Sequence, residues 1–296
     1  MKNILETIGN TPLVKIEKLN PNPRVNIFAK LEGFNPTGSV KDRIALAMVE
    51  KAERDGVLFK GKIILESTSG NTGISLAMVG AVKGYKVKIV MPEIMSIERQ
   101  KILKAFGAEL ILVKKEDWRD AAIKFTKELA KKDKNLVLLN QYENEANVMA
   151  HYETTGKEIL EQLKEKQIDI FVAGIGTGGT IMGVGRKLKE KYPNLKIIGV
   201  EPRVETEIEG LRSTEKYLPP ILNFKEIDQR IIIEDEDAFF TTKEIIKKEG
   251  IFVGISSGAA LYVAIQKAKE MISGNIVVIF PDRGEKYLST RLFEDI

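Results

Sequence analysis

The chain has no cysteine and one histidine, His151, in 296 residues. Without thiols it has no disulfide framework, no thiolate metal site and no cysteine nucleophile. A lone histidine leaves no histidine metal cluster and makes a Ser-His-Asp triad a poor expectation. Any chemistry therefore falls to Lys, Ser, Thr, Asn, carboxylates or a bound cofactor, and no metal site is expected. Charge of one sign is also scarce, because the formal net charge is only +4 and lysines are interleaved with glutamates. That pattern is a solvated surface and not a nucleic-acid face. Uncharged runs such as Ile251 to Gln266 are broken by glycine and fall short of the roughly 20 residues that a membrane helix needs. The N-terminus, MKNILETIGNTPL, is too short and polar for a signal peptide. The expectation is a cytoplasmic protein that binds neither nucleic acid nor membrane.

What is present is a globular composition, 43% hydrophobic and 30% charged, with enough length for two domains. Short β-branched runs predict strands at Val25–Lys30, Lys62–Glu66, Val87–Met91, Glu109–Val113, Asp169–Ala173, Lys196–Val200 and Asn275–Phe280. Amphipathic segments at Ile97–Phe106, Trp118–Lys131, Thr154–Lys166 and Thr180–Lys191 alternate with them. The alternation predicts an α/β fold of two αβα units with mostly parallel, twisted sheets. No low-complexity linker separates the units, and a boundary near residues 142–150 is read as an ordinary loop.

Three glycine-rich loops each precede a helix pattern. Gly174-Ile175-Gly176-Thr177-Gly178-Gly179 contains G-x-G-x-x-G after a strand, and Glu201 follows the next strand, which by itself would support an NAD-binding oxidoreductase. The underlying physics is less specific: free amides at a helix N-terminus make an anion site, and Thr177 and Thr180 add hydroxyls suited to one phosphate. The Walker pattern is absent. Ser67-Thr68-Ser69-Gly70-Asn71-Thr72-Gly73 carries uncharged donors suited to a carboxylate. Gly254-Ile255-Ser256-Ser257-Gly258-Ala259 alone reads as a capped helix start.

Lys41 stands out within NPTGSVKDRIALAMVEKAERDG. Ser39 reads as the N-cap and Asp42 as a weak capping box, with Ile44, Ala45, Met48, Val49 and Ala52 on the apolar face. A lysine in the first turn opposes the helix dipole, and dipole and desolvation together favour its neutral amine. A neutral lysine amine can form a Schiff base, although most lysines simply reach for water. One phosphate loop, one carboxylate loop and one such amine together suit a carbonyl cofactor that carries a phosphate, pyridoxal phosphate.

At this point the chain resembles the cysteine synthase family of fold-type II pyridoxal-phosphate enzymes. The resemblance rests on IGNTPLV (residues 8–14), NPTGSVKDR (35–43), TSGNTG (68–73), QYENEAN (141–147), HYETTGKEI (151–159), GTGGT (176–180), GISSGA (254–259) and GEKYLST (284–290). It implies a smaller domain of residues 1–12 and 35–146 and a larger one of 13–34 and 147–296, with the cofactor in the cleft between them. It implies that Lys41 holds the cofactor's aldehyde, that Asn71 bonds its 3'-oxygen, and that Gly176, Thr177, Gly178, Gly179 and Thr180 hold its phosphate. Ser256 would face the pyridine nitrogen, where a hydroxyl makes the ring a weaker electron sink and suits β-elimination. Thr68, Ser69, Thr72 and Gln141 would bind the substrate carboxylate. Lys41 would then move the α-proton while an O-activated L-serine loses its leaving group and a sulfur nucleophile adds, giving L-cysteine.

Glu145 and Val148 stand where the family commonly has proline, so the loop after Gln141 is expected to sit differently. The stretch IEGLRSTEKYLPPILNF (208–224) resembles the B-type cysteine synthases, in which an arginine at the pocket mouth accepts a more anionic substrate. Arg212 matches that arginine, which implies use of O-phosphoserine or thiosulfate besides O-acetylserine and sulfide; a surface salt bridge is its alternative. Within the family, attack by homocysteine in the manner of cystathionine β-synthase is the competing activity, and a dehydratase a weaker one. A catalytically silent binding protein is the remaining alternative. The family also implies a homodimer.

Overall fold

A computed structural model of the chain describes residues 3–68, 70–93, 97–114, 120–164 and 166–294. Its strands are β1 (Leu13–Ile16), β2 (Val25–Leu31), β3 (Ile63–Ser67), β4 (Lys86–Pro92), β5 (Glu109–Val113), β6 (Leu136–Leu138), β7 (Ile170–Gly174), β8 (Lys196–Pro202), β9 (Gln229–Ile233) and β10 (Gly274–Phe280). The helices are α1 (Lys41–Arg54), α2 (Asn71–Lys83), α3 (Ile97–Ala105), α4 (Asp120–Lys132), α5 (Glu145–Ala150), α6 (Lys157–Leu163), α7 (Gly179–Lys191), α8 (Asp235–Glu244) and α9 (Ile255–Glu270).

The strands form a six-stranded sheet in the order β1-β2-β10-β7-β8-β9 and a four-stranded sheet in the order β5-β4-β3-β6. Every pairing is parallel except β1 with β2. Parallel strands are covered on both faces, and the central ones are accordingly continuous apolar runs. Val277 to Phe280 in β10 and Phe171 to Ala173 in β7 are all buried. All seven predicted strands are present, with ends shifted by a residue or two. Three others, β1, β6 and β9, were not anticipated.

The 142–150 segment corrects the expectation of a loop. Asn144 caps α5 by accepting the Ala146 N–H at 3.0 Å, so regular structure begins at Glu145. A π-turn over His151–Gly156 then carries the chain without a break into α6. The same turn replaces the start of the helix predicted at Thr154. Gly183 of α7 makes this packing achievable, since a side chain there would overlap the Val148 carbonyl and His151. Among the described residues no helix is long and apolar enough to cross a membrane.

In an open parallel sheet, loops at the carboxyl ends of the strands build the ligand crevice. Here β3 feeds α2 through the Thr68–Gly70 loop, and β7 feeds α7 through the Gly174–Gly178 loop. The segment after β10 bonds to the other two relevant loops: Val40 N–H donates to Pro281 O at 2.8 Å, and Gly254 N–H donates to Asp282 O at 3.2 Å. The starts of α1 and α9 are thereby drawn to the end of β10.

Candidate active site

Lys41 is the first residue of α1, and the helix buries Ile44, Ala45, Met48, Val49 and Ala52 as its apolar spacing predicts. The capping differs from expectation. Val40, already helical in its backbone, occupies the cap position, while Ser39 Oγ accepts the Lys41 N–H at 3.3 Å. Asp42 turns inward instead of closing a capping box. It accepts the Thr37 N–H at 2.7 Å and the Ser75 hydroxyl at 2.6 Å, because a buried carboxylate needs several donors. The Lys41 side chain keeps some solvent contact but is surrounded by protein, and burial pushes its amine down to about 8, with Asp282 opposing the shift. The helix dipole acts in the same sense as burial. An amine so placed is available in neutral form near physiological pH.

The β3–α2 loop holds uncharged donors. Thr68 Oγ1 accepts the Gly70 N–H at 3.2 Å, and Thr72 donates its hydroxyl to Gln141 Oε1 at 2.7 Å. Thr72 and Gln141 are both buried and in contact. Ser69 lies outside the described residues. Behind the loop sits Glu66, whose carboxyl burial pushes up to about 8, against the opposing N–H groups of Gln141, Asn140 and Ser67.

The β7–α7 loop is packed so closely against its neighbours that its glycines leave no room for side chains. A Cβ on Gly176 would lie 2.6 Å from the Gly210 carbonyl, and one on Gly179 would collide with Asn147 Oδ1. Gly178 has φ +92°, a left-handed backbone that glycine adopts without strain, and it opens α7. Asn147 Nδ2 donates to Thr177 Oγ1 at 2.9 Å and to the Gln141 carbonyl at 2.8 Å, which ties this loop to the carboxylate loop. Asn147 Oδ1 is buried and bonds to nothing among the described residues. Thr180 Oγ1 lies 3.1 Å from His151 Nε2, and His151 Nδ1 lies 3.0 Å from Thr155 Oγ1. Burial drives the His151 pKa well down, so the ring is neutral. A neutral ring donates from one of these nitrogens and accepts at the other, so it joins Thr155 and Thr180 in one hydrogen-bonded row.

Asn71, the first residue of α2, bridges two residues that sequence reasoning missed. Its Nδ2 donates to Asp282 Oδ2 at 2.7 Å, and its Oδ1 accepts from Lys286 Nζ at 2.8 Å. Tyr287 donates its hydroxyl to the same Asp282 oxygen at 2.6 Å. Burial lowers the Lys286 pKa, and Asp282 and Asp42 oppose it. The only advance signal was that Lys286 and Tyr287 fall inside the GEKYLST stretch. Ser256 is buried in the first turn of α9 and forms no side-chain hydrogen bond with the other predicted site residues. Arg212 is only 8% exposed, and its guanidinium lies 4.3 Å from the Tyr217 ring centre and 5.2 Å from that of Tyr142. It is therefore a buried, aromatic-packed arginine beside the Gln141 loop and not a surface one.

The pyridoxal-phosphate dependent enzyme family matches residues 4–282. The chain belongs to that family. Within it, the chain is 50% identical to the cysteine synthase of Aquifex aeolicus, over 99% of this chain and 93% of that one. It is 44% identical to cysteine synthase B of Escherichia coli, over 99% and 96% of the two chains. The crystal structure of O-ureido-L-serine synthase superposes with a TM-score of 0.95 at 38% identity, covering 100% of this chain and 96% of that one. The fold is accordingly that of the fold-type II pyridoxal-phosphate enzymes.

The residues present fit the family's cofactor. The start of α7, with its left-handed Gly178 cap and the Thr177 and Thr180 hydroxyls in front of a neutral histidine, offers the helix N-terminus and donors that a phosphate takes. The Lys41 amine, its pKa depressed by burial at the start of α1, is the partner that an aldehyde needs.

Proposed function

We propose that this chain forms L-cysteine by pyridoxal-phosphate-dependent β-replacement on an O-activated L-serine, with O-acetylserine and sulfide as the basic substrate pair. Bound pyridoxal phosphate supplies an aldehyde carbon that takes up amines and a ring that withdraws electrons from the bonds to be broken. The chain's own groups do the rest. Gly176, Thr177, Gly178, Gly179 and Thr180 hold the phosphate through backbone amides and hydroxyls. Lys41 would hold the cofactor's aldehyde and, once freed by the substrate amine, would take the proton from the substrate Cα. Asn71 would donate to the 3'-oxygen. Ser256 would offer a hydroxyl to the ring nitrogen, where a carboxylate would hold a full proton. Thr68, Ser69, Thr72 and Gln141 hold the α-carboxylate at the start of α2, which fixes the Cα proton toward Lys41 and helps exclude water. The Cβ–O bond then breaks and acetate leaves; once the sulfur nucleophile has added at the β-carbon, Lys41 would return the proton to Cα.

The observation that carries this reading is the Lys41 amine of depressed pKa at the start of α1, together with the hydroxyl and amide groups that the β3–α2 and β7–α7 loops place at two further helix starts. The division into lobes of residues 1–12 with 35–146 and 13–34 with 147–296 follows from the same reading, with the cofactor between them. Family membership supports a homodimer in the cytoplasm.

Arg212 extends the acceptor range to O-phosphoserine and the donor range to thiosulfate; its buried place against Tyr142, one residue from Gln141, supports this. The test is formation of L-cysteine from sulfide, or of S-sulfocysteine from thiosulfate, with O-acetylserine or O-phosphoserine as acceptor and homocysteine as a competing nucleophile. Arg212→Ala is expected to lower kcat/KM for O-phosphoserine at least roughly tenfold relative to O-acetylserine, the cost of one charge-assisted hydrogen bond. An unchanged ratio removes Arg212 from the site, and faster use of homocysteine than sulfide removes cysteine synthesis.

A further inference from the structure

Two of the buried charged groups to which the proposed chemistry gives no role bond to the same amide. Lys286 Nζ donates to Asn71 Oδ1 at 2.8 Å, and its only other hydrogen bond among the described residues is with the Gly38 carbonyl at 3.4 Å. Asp282 Oδ2 accepts from Asn71 Nδ2 at 2.7 Å and from the Tyr287 hydroxyl at 2.6 Å. A carboxylate only accepts, and the lysine amine donates here, so the two partners dictate which end of the Asn71 amide faces which way. One Nδ2 hydrogen is used by Asp282; the second has no acceptor among the described residues. Asp282 is itself fixed: it is buried, Tyr287 holds it, and a side chain on Gly254 would overlap its Oδ1. Hydrogen bonds in such a chain polarise one another, so a cation on Oδ1 makes the free N–H a stronger donor.

We propose that Lys286 and Asp282 are positioning residues that orient and polarise the Asn71 amide, so that its free N–H holds the cofactor's phenolic oxygen in its anionic form. This rests on the reading of Asn71 as the residue facing that oxygen. The consequence is spectroscopic as well as kinetic. A phenolic oxygen that loses its donor takes up a proton, and absorbance moves from the visible band toward the near ultraviolet.

The test is a pH titration of the visible and near-ultraviolet bands of purified cofactor-loaded protein, comparing wild type with Lys286→Met and Lys286→Arg. Lys286→Met is expected to raise the near-ultraviolet to visible ratio roughly tenfold, a shift of about one pH unit in the transition. Lys286→Arg, which keeps a charged donor, is expected to restore the wild-type ratio. A wild-type titration in Lys286→Met overturns the proposal, as do equal shifts in both variants. If Lys286→Met fails to fold or to take up cofactor, Lys286→Gln retains a neutral donor and is expected to shift the ratio part of the way. No shift in it overturns the proposal equally. A colourless wild type would instead refute the underlying reading of the site, so the two failures are distinguishable.

Discussion

At the scale of the residue, Lys41 carries the account. Its amine is protonated below about 8 and neutral above it, and only the neutral form attacks an aldehyde. The rate at which cofactor-free protein gains its visible band on mixing with pyridoxal phosphate should therefore rise through about pH 8 and level off above it. Stopped-flow absorbance across the range checks this, and a rate still climbing toward the ordinary lysine value would contradict it. That a lysine begins this helix was legible from SVKDR. How the helix start is built was not. Ser39 and Asp42 matched a capping pattern, but Asp42 is buried and spends its oxygens on Thr37 and Ser75. Local pattern says which groups can cap, and burial decides which of them do.

At the scale of the element, α1 is held in place by a buried ion cluster. Arg43, two residues after Lys41, donates to Glu32 at 2.7 Å and to Glu158 of α6 at 2.6 Å, and Lys30 of β2 donates to Glu158 at 2.7 Å. Thr11 joins through its hydroxyl on Glu32 at 2.7 Å. Removing one partner of a buried pair strands the others, so Glu158→Ala should destabilise the fold by about 3 kcal/mol, read from urea unfolding at neutral pH. The acid side has a definite sign. Despite the burial that opposes it, Arg43 and Lys30 hold the Glu158 carboxyl down to about 2, below the ordinary 4.5. Its contribution is complete above about 4.5 and is lost as pH falls toward 2, so wild type should lose stability faster than Glu158→Ala in that window. Parallel slopes would contradict this. The elements themselves were legible where burial is two-sided, as in β7, β8 and β10. They were not where it is thin: β6 has three residues, and edge strand β9 buries only Ile233. The helix α5 was missed because its start is set by one Asn144 cap within a polar stretch.

At the scale of the whole molecule, the site exists because the carboxyl ends of two sheets meet. Asn71 reaches Asp282, Glu98 of α3 accepts from Ser289 at 2.8 Å, and Arg99 pairs with Glu209. Each of these contacts runs from the four-stranded half to the six-stranded half. The three glycine loops and Lys41 could be read in advance because each is a local stretch with its own chemistry. The Lys286–Asn71–Asp282 chain could not, since only the fold brings residues 211 positions apart within 2.7 Å. Nor could the partnership of Asn147 with Thr177 and Gln141, which links the β7–α7 loop to the residue that bonds Thr72. The central claim is that Lys41, and no other group, is the amine that works on the cofactor. Borohydride reduction of cofactor-loaded protein, followed by peptide mass spectrometry, tests it most directly. The cofactor mass should be found on the peptide containing Lys41, and the Lys41→Ala protein should carry no label and form cysteine roughly a thousandfold more slowly, the loss expected of a general base. Label on Lys286 or any other lysine, or an unlabelled wild type, would contradict the account.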